Sequence, residues 1–367
     1  MFAMLAPIMR LCQERSPMVT WSYPTGARPP RGRYGPRTRR CGRLMTHVSQ
    51  TAARPQVICL GETMVMVTPR EPVPLVDGDL FRLSIGGAES TVALYLAELG
   101  HEVAWASLVG ADPLGERILA TLARAGVDTS LVCRDADART GVYFKDPSPG
   151  GTRVCYYRSD SAASRMAPKD LDALPLDTAA LVHFSGITPG LSPSCAELAD
   201  DLIRRVRGTG TLLSFDVNYR PGVWPAKMAA PVLLELSREV DIVFVGLDEA
   251  LALWGTRSAH DVRSLIGTNN VLVVKDGAVG ATEFNDGAET FMPALKVEVV
   301  EPVGAGDAFA AGFLSALLRE EPAAARLSLG HILAARALAS TSDYVPQNDP
   351  EIPGSAGSGA PADFLKV

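Results

Sequence analysis

The sequence predicts a three-layer α/β/α domain: a mainly parallel sheet with helices on both faces, and a small β lid at one edge. Three observations point to it. From about residue 56 onward, short β-branched runs alternate with segments of helical length. Those runs are mostly apolar and show no regular alternation with polar residues, the pattern of strands buried on both faces. Two stretches break the alternation and read as exposed β segments, which suits a lid.

The first strand is expected over 57–67, with Gly61 inside it. A helix over 90–99 is stopped by Gly100, a strand follows over 103–109, and a helix over 113–125 is stopped by Gly126. Short strands are expected over 180–185, 211–215, 242–245 and 271–274, with helices between them, as at 194–207. The exposed β segments lie at 75–83 and at 140–145 with 153–158; the second pair reads as a hairpin around 147–151. The lid is therefore expected from about 68–84 and 132–160, within a domain spanning 55–346, followed by a flexible tail over 347–367.

With 367 residues and 47% hydrophobic residues, the chain can bury a large core. Its net charge of −6 argues against a nucleic-acid surface. Charge is uneven: Arg28, Arg31, Arg33, Arg37, Arg39, Arg40 and Arg43 stand in a Pro- and Gly-rich leader almost without acids. Residues 1–54 show no helix or strand period and read as a disordered extension. Such a leader fits a transit peptide, or a start codon placed upstream of the true one, with Met45 as the alternative. None of the six cysteines forms a Cys-x-x-Cys pair or a zinc spacing, and Cys59 in its apolar run reads as a buried free thiol. This fits a reducing, cytoplasmic setting. No apolar stretch approaches the roughly 18 residues of a membrane span.

The strongest local signal is Gly304-Ala305-Gly306-Asp307, followed by an apolar helix face of Phe309, Phe313, Leu314 and Leu317. A Gly-rich turn opening a helix directs free N–H groups and the positive end of the dipole at an anion. An aspartate at its mouth can take the proton of an attacking hydroxyl. The plain alternative is a turn whose Asp merely caps the helix.

Segment 303–313 resembles the second signature of PfkB-type carbohydrate kinases of the ribokinase-like fold. The resemblance implies that Gly304, Ala305 and Gly306 form an anion hole and that Asp307 is the catalytic base and contacts the sugar. Ile85-Gly86-Gly87-Ala88-Glu89-Ser90-Thr91-Val92-Ala93 is similar to the first signature, where Gly86 and Gly87 let backbone approach the sugar. The stretch 273–281 resembles the strand and turn beside the nucleotide, which makes Lys275, Gly277 and Gly280, with Gly304 and Gly306, the expected ATP contacts. The three matches occur in family order, and the resemblance extends along nearly all of 56–345.

Thr140-Gly141-Val142-Tyr143-Phe144-Lys145 and Tyr156-Tyr157-Arg158 resemble the lid of 2-keto-3-deoxygluconate kinases, and 215–221 resembles the sugar-binding strand end of that branch. Arg158 and Arg220 can grip a carboxylate in fork geometry, and Tyr143 and Tyr156 can cover an apolar sugar face and bond hydroxyls. Their ordinary alternatives are hairpin aromatics and solvated edge charges. Asp343 stands where the branch places a further sugar-contacting acid.

Three positions depart from the pattern. Thr91 stands where the first signature usually carries Asn. Gly246-Leu247-Asp248-Glu249 keeps the glutamate but not the asparagine of a motif that organises magnesium through water, leaving Glu249 as the expected metal contact through water. The acid before the anion hole is Glu301 rather than Asp, at a position often tied to a monovalent-cation site, which stands against potassium activation. The resemblance thus implies ATP and Mg²⁺, with K⁺ doubtful. It implies a small sugar or sugar acid as partner, and a homo-oligomer formed through the lid. Alternatives are a kinase for a neutral sugar such as fructose or ribose, and a sugar-binding regulator with a degraded nucleotide site.

Overall fold

A computed structural model describes residues 55–148, 151–268 and 270–347. The expected N-terminal extension and its leader, and the C-terminal tail beyond 347, lie outside the described residues. The elements run β1 (Val57–Leu60), β2 (Met64–Pro69), β3 (Phe81–Gly86), α1 (Ala88–Glu98), β4 (Val103–Gly110), α2 (Pro113–Arg124), β5 (Val132–Asp135), β6 (Val142–Asp146) and β7 (Arg153–Tyr157). They continue with β8 (Leu181–Ser185), α3 (Ile187–Gly190), α4 (Pro193–Val206), β9 (Leu212–Asp216), α5 (Ala226–Glu239), β10 (Ile242–Gly246), α6 (Leu247–Trp254) and α7 (Ala259–Ile266). The last are β11 (Val271–Asp276), β12 (Gly280–Asn285), β13 (Ala288–Pro293), α8 (Ala305–Leu318) and α9 (Ala323–Leu338).

Nine strands form the main sheet in the order β13-β12-β11-β10-β9-β8-β1-β4-β5. From β11 to β5 every neighbour pair is parallel, while β12 and β13 return antiparallel at one edge. Strand β1 shows why the central runs are mostly apolar on both faces. Val57 and Cys59 point into a core with Val92, Leu96 and Phe313, and Ile58 and Leu60 point into a second core with Leu198, Leu202 and Leu233. Period-two side chains thus feed helix layers on both faces.

The second sheet has the order β3-β2-β6-β7. Three expectations are corrected here. The single strand over 57–67 divides between the two sheets, because the chain turns at Gly61. A Cβ there would collide with the Glu89 carboxyl, so only glycine lets that buried side chain lie against the turn. The lid also does not begin at 132: β5 pairs in parallel with β4 in the main sheet, the usual outcome of a strand–helix–strand crossover through α2. Likewise 75–83 is not one strand. Leu75–Asp77 forms a short 3₁₀ turn before Gly78, and β3 starts at Phe81.

Candidate active site

The parallel strands end together on one side of the sheet, where open α/β sheets bind ligands. Asp216 ends β9 and Gly246 ends β10, and Lys275 pairs in register with Gly246. Lys275 Nζ donates to Asp216 Oδ2 at 2.8 Å, an ion pair with both side chains largely out of solvent. Arg220, just past β9, donates from Nη1 to Glu249 Oε1 at 3.3 Å, while Glu249 Oε2 accepts from the Gly246 amide at 2.9 Å. Burial pulls the Arg220 guanidinium down, but Glu249, Asp307 and Asp216 together outweigh it and hold the guanidinium above its ordinary value.

Helix α8 opens at Gly304, whose φ of +84° lies in the left-handed region. A Cβ at Gly304 would also sit 2.7 Å from the Asp343 carbonyl oxygen, so the residue is glycine for two independent reasons. Asp307 does not cap the helix; Gly304 is the N-cap, with no side-chain cap bond. Instead the Asp307 carboxylate faces the strand ends and accepts from Asn218 Nδ2 at 3.0 Å. Asn218 adopts φ +38°, a conformation asparagine tolerates better than most residues, and its amide nitrogen bonds Asp216 Oδ1 at 3.2 Å. Burial, then the negative charge of Asp216, raises the Asp307 pKa to about 7, with Arg220 and Lys275 pulling the other way. A carboxyl group poised near neutrality is suited to take a proton from a hydroxyl.

The lid closes the other side. Tyr143 donates to Asp343 Oδ2 at 3.0 Å, and its ring lies 5.7 Å from that of Tyr156. A Cβ at Gly86 would collide with the Tyr143 hydroxyl of the lid, and one at Gly87 with the Glu62 carbonyl, so neither signature glycine has room for a side chain. Tyr156 is 43% exposed, and the charges of Arg220, Arg158 and Asp343 all reach it. Arg158 lies over the Tyr156 ring and is ion-paired with the buried Glu62, leaving its Nε buried without a protein partner.

Beside the anion turn is a cavity of about 600 Å³. Its polar lining includes Lys275, Arg220, Glu249 and Asp248 beside Gly306, and its apolar lining includes Leu295, Val297, Phe309, Ala334 and Leu338. Gly277 and Gly280 also line it, both at positive φ, and Gly280 packs against the Met292 carbonyl. Its volume and mixed polar and apolar lining suit a nucleotide. Magnesium fits less directly: both Glu249 oxygens have partners, and a Cβ at Gly246 would lie 2.5 Å from Asp248 Oδ1, which occupies the start of the space a side chain there would need. Among the described residues there is no cluster of three or more His, Cys, Asp or Glu able to hold an ion.

The pfkB family carbohydrate kinase profile matches residues 54–349. The chain belongs to that family. This pfkB chain is 34% identical over 284 residues to a 2-dehydro-3-deoxygluconokinase of Thermoproteus tenax, covering 76% of this chain and 86% of the relative. Among solved structures, a PfkB protein of Polaromonas sp. JS666 superposes with a TM-score of 0.72 at 34% identity, covering 77% of this chain and 95% of the other. A sugar kinase of Pyrococcus horikoshii in complex with ATP has a TM-score of 0.68 at 25% identity, covering 78% and 94%. The ribokinase-like α/β fold with its second small sheet is thereby established.

In this pfkB chain the expected residues fall into two groups that meet at Asp307. Lys275, Gly277, Gly280, Gly306 and Glu249 line the cavity; Gly86, Tyr143 and Tyr156 of the lid sheet gather with Asp343. Arg220 lines the cavity, yet its charge reaches both Asp307 and Tyr156. Sequence reasoning missed Asn218, Glu62 and Lys145. Lys145 had a usable signal: two residues from Tyr143 on one strand, it must share Tyr143's face. The partners of Asn218 and Glu62 are 89 and 96 residues away, so spacing alone gives no sign of them.

Proposed function

We propose that this chain transfers the γ-phosphoryl group of ATP to a hydroxyl of a sugar acid, 2-keto-3-deoxygluconate being the substrate that fits best and its 6-phosphate the product. The observation that carries this reading is Asp307: a carboxylate near neutrality, oriented by Asn218 at the mouth of a left-handed Gly turn, between a nucleotide-sized cavity and the lid. In the reaction Asp307 takes the hydroxyl proton. The Gly304, Ala305 and Gly306 amides and Lys275 face the charge that develops on the transferring group.

Arg220 is the residue best placed to meet the acid's carboxylate, since only one of its nitrogens is engaged by Glu249 and Tyr219 and its side chain is 45% exposed. Arg158 contributes positive charge from the lid but spends part of its fork on Glu62. The relative from Thermoproteus tenax supports a sugar acid over a neutral sugar. Magnesium, carried by the ATP phosphates, would be met through water by Glu249 and Asp248 and would supply charge neutralisation. The reading places the enzyme in the cytoplasm, where ATP is at hand. The exposed lid residues Phe81, Leu83 and Tyr157 offer a surface to a second copy; a molar mass of one chain in light scattering would refute that.

The test is an ATP-consumption screen of purified protein against keto-deoxy sugar acids, fructose and ribose. Turnover highest on 2-keto-3-deoxygluconate is expected. Preference for fructose or ribose replaces the sugar acid with a neutral sugar. Sugar binding with no turnover on any of them favours a regulator, the reading suggested by Gly246 in place of asparagine.

A further inference from the structure

Lys145 is a lysine on a lid strand, yet it is only 1% exposed. Its Nζ donates to the Thr341 carbonyl at 2.9 Å and to Asp343 Oδ1 at 3.2 Å, and lies 3.9 Å from Glu301 Oε2. Glu301 and Asp343 are themselves 7% and 6% exposed. Burying an ammonium without partners costs several kcal/mol, and burying two carboxylates without a cation costs more, so the three groups are stable only together.

The cluster's position matters more than its stability. Glu301 lies three residues before Gly304 on the segment leading into the anion turn, and Asp343 presses its backbone oxygen against Gly304. The second oxygen of Asp343 accepts from Tyr143, which shares the strand with Lys145. The charge of Asp343 is also felt at Asp307. One side chain from the lid therefore touches both segments that shape the anion turn.

We propose that Lys145 is a positioning residue for phosphoryl transfer: its ammonium is a built-in monovalent cation that neutralises Glu301 and Asp343 and fastens β6 to the two segments flanking Gly304. Two carboxylates and a carbonyl oxygen around one positive charge are also the ligands a free monovalent cation would accept. The chain thus supplies covalently what an added potassium or ammonium ion would otherwise supply. This inference rests on the phosphoryl-transfer reading above.

The experiment compares wild type, Lys145→Ala and Lys145→Met in KCl, NH₄Cl and choline chloride at equal ionic strength, by turnover and by melting temperature. Wild type should be indifferent to the cation. Lys145→Ala should lose at least tenfold in kcat with the KM for ATP changed less, regain much of it in KCl or NH₄Cl but not in choline chloride, and melt higher in the same two salts. Lys145→Met, which fills the space, should lose activity and not regain it. A structural role alone would lower the melting temperature without cation-specific recovery of kcat. Wild type that needs potassium overturns the proposal. So does Lys145→Ala within twofold of wild type, or a loss that no cation repairs. If Lys145→Ala does not fold, the wild-type comparison decides. Wild type inactive on every sugar would defeat the functional reading, while the melting arm still judges the cation site.

Discussion

The acid limb of the pH profile should be set by Asp307, and its position should respond to Asp216. With a pKa of about 7, Asp307 is half carboxylate at neutrality. By pH 5 roughly 1% of molecules would hold the charged form, so kcat/KM should fall about tenfold per pH unit below neutrality. Burial is the larger cause of the elevation and Asp216 the next. Asp216→Asn removes that negative charge. It also frees the Lys275 ammonium from its 2.8 Å pair, which strengthens the pull of Lys275 on Asp307. Both effects lower the Asp307 pKa, so the limb should move toward acid by on the order of one unit. The assay is kcat/KM for the sugar at saturating ATP from pH 5 to 9, in both enzymes. ATP's own ionisation is common to the two, so the difference between profiles belongs to the protein. The variant's absolute rate will fall because Lys275 loses its anchor, but the midpoint is the readout. A limb that stays in place, or moves toward alkali, would refute the assignment of that limb to Asp307.

Arg220→Lys should reduce kcat/KM for 2-keto-3-deoxygluconate by one to two decades while changing fructose use little, because a lost charge-assisted bond is worth about 1.5–3 kcal/mol. Arg158→Lys should have a smaller effect, since part of that guanidinium is committed to Glu62; equal losses on both sugars would remove the arginines from carboxylate recognition. Asp307→Asn should raise the melting temperature of the ligand-free protein at pH 8. A carboxyl raised from its unfolded range to about 7 makes stability fall as pH rises between those values, and the amide escapes that loss. The gain should shrink toward pH 5, and a melting difference independent of pH would contradict it.

Much of this was legible in the sequence, for identifiable reasons. The central strands are mostly apolar on both faces, and a run such as 242–245, with no polar residue at all, has few other ways to be buried. The anion turn could be read because Gly304 and Gly306 open an apolar helix. Other features depend on contacts between distant segments. The division of 57–67 between two sheets is decided by Glu89, which only the folded chain brings against Gly61. Strand β5 was assigned to the lid because a four-residue strand of mixed burial gives no sign of which neighbour it will pair with. Arg158 looked like a free fork, and its pairing with Glu62 spans 96 residues. Lys145 stands two residues from Tyr143 on one strand, so its face is legible in the sequence, but its partners Thr341, Glu301 and Asp343 are not.

The most direct test is turnover of 2-keto-3-deoxygluconate with ATP by wild type and by Asp307→Asn, measured side by side with the product's phosphate position. Wild type should form the 6-phosphate, and the variant should lose about 10²–10⁴-fold in kcat with the sugar KM within a few-fold, because the amide keeps the shape but cannot accept the proton. A variant that retains most of its turnover would contradict the role of Asp307. A wild type that leaves the sugar acid untouched and phosphorylates fructose would contradict the substrate.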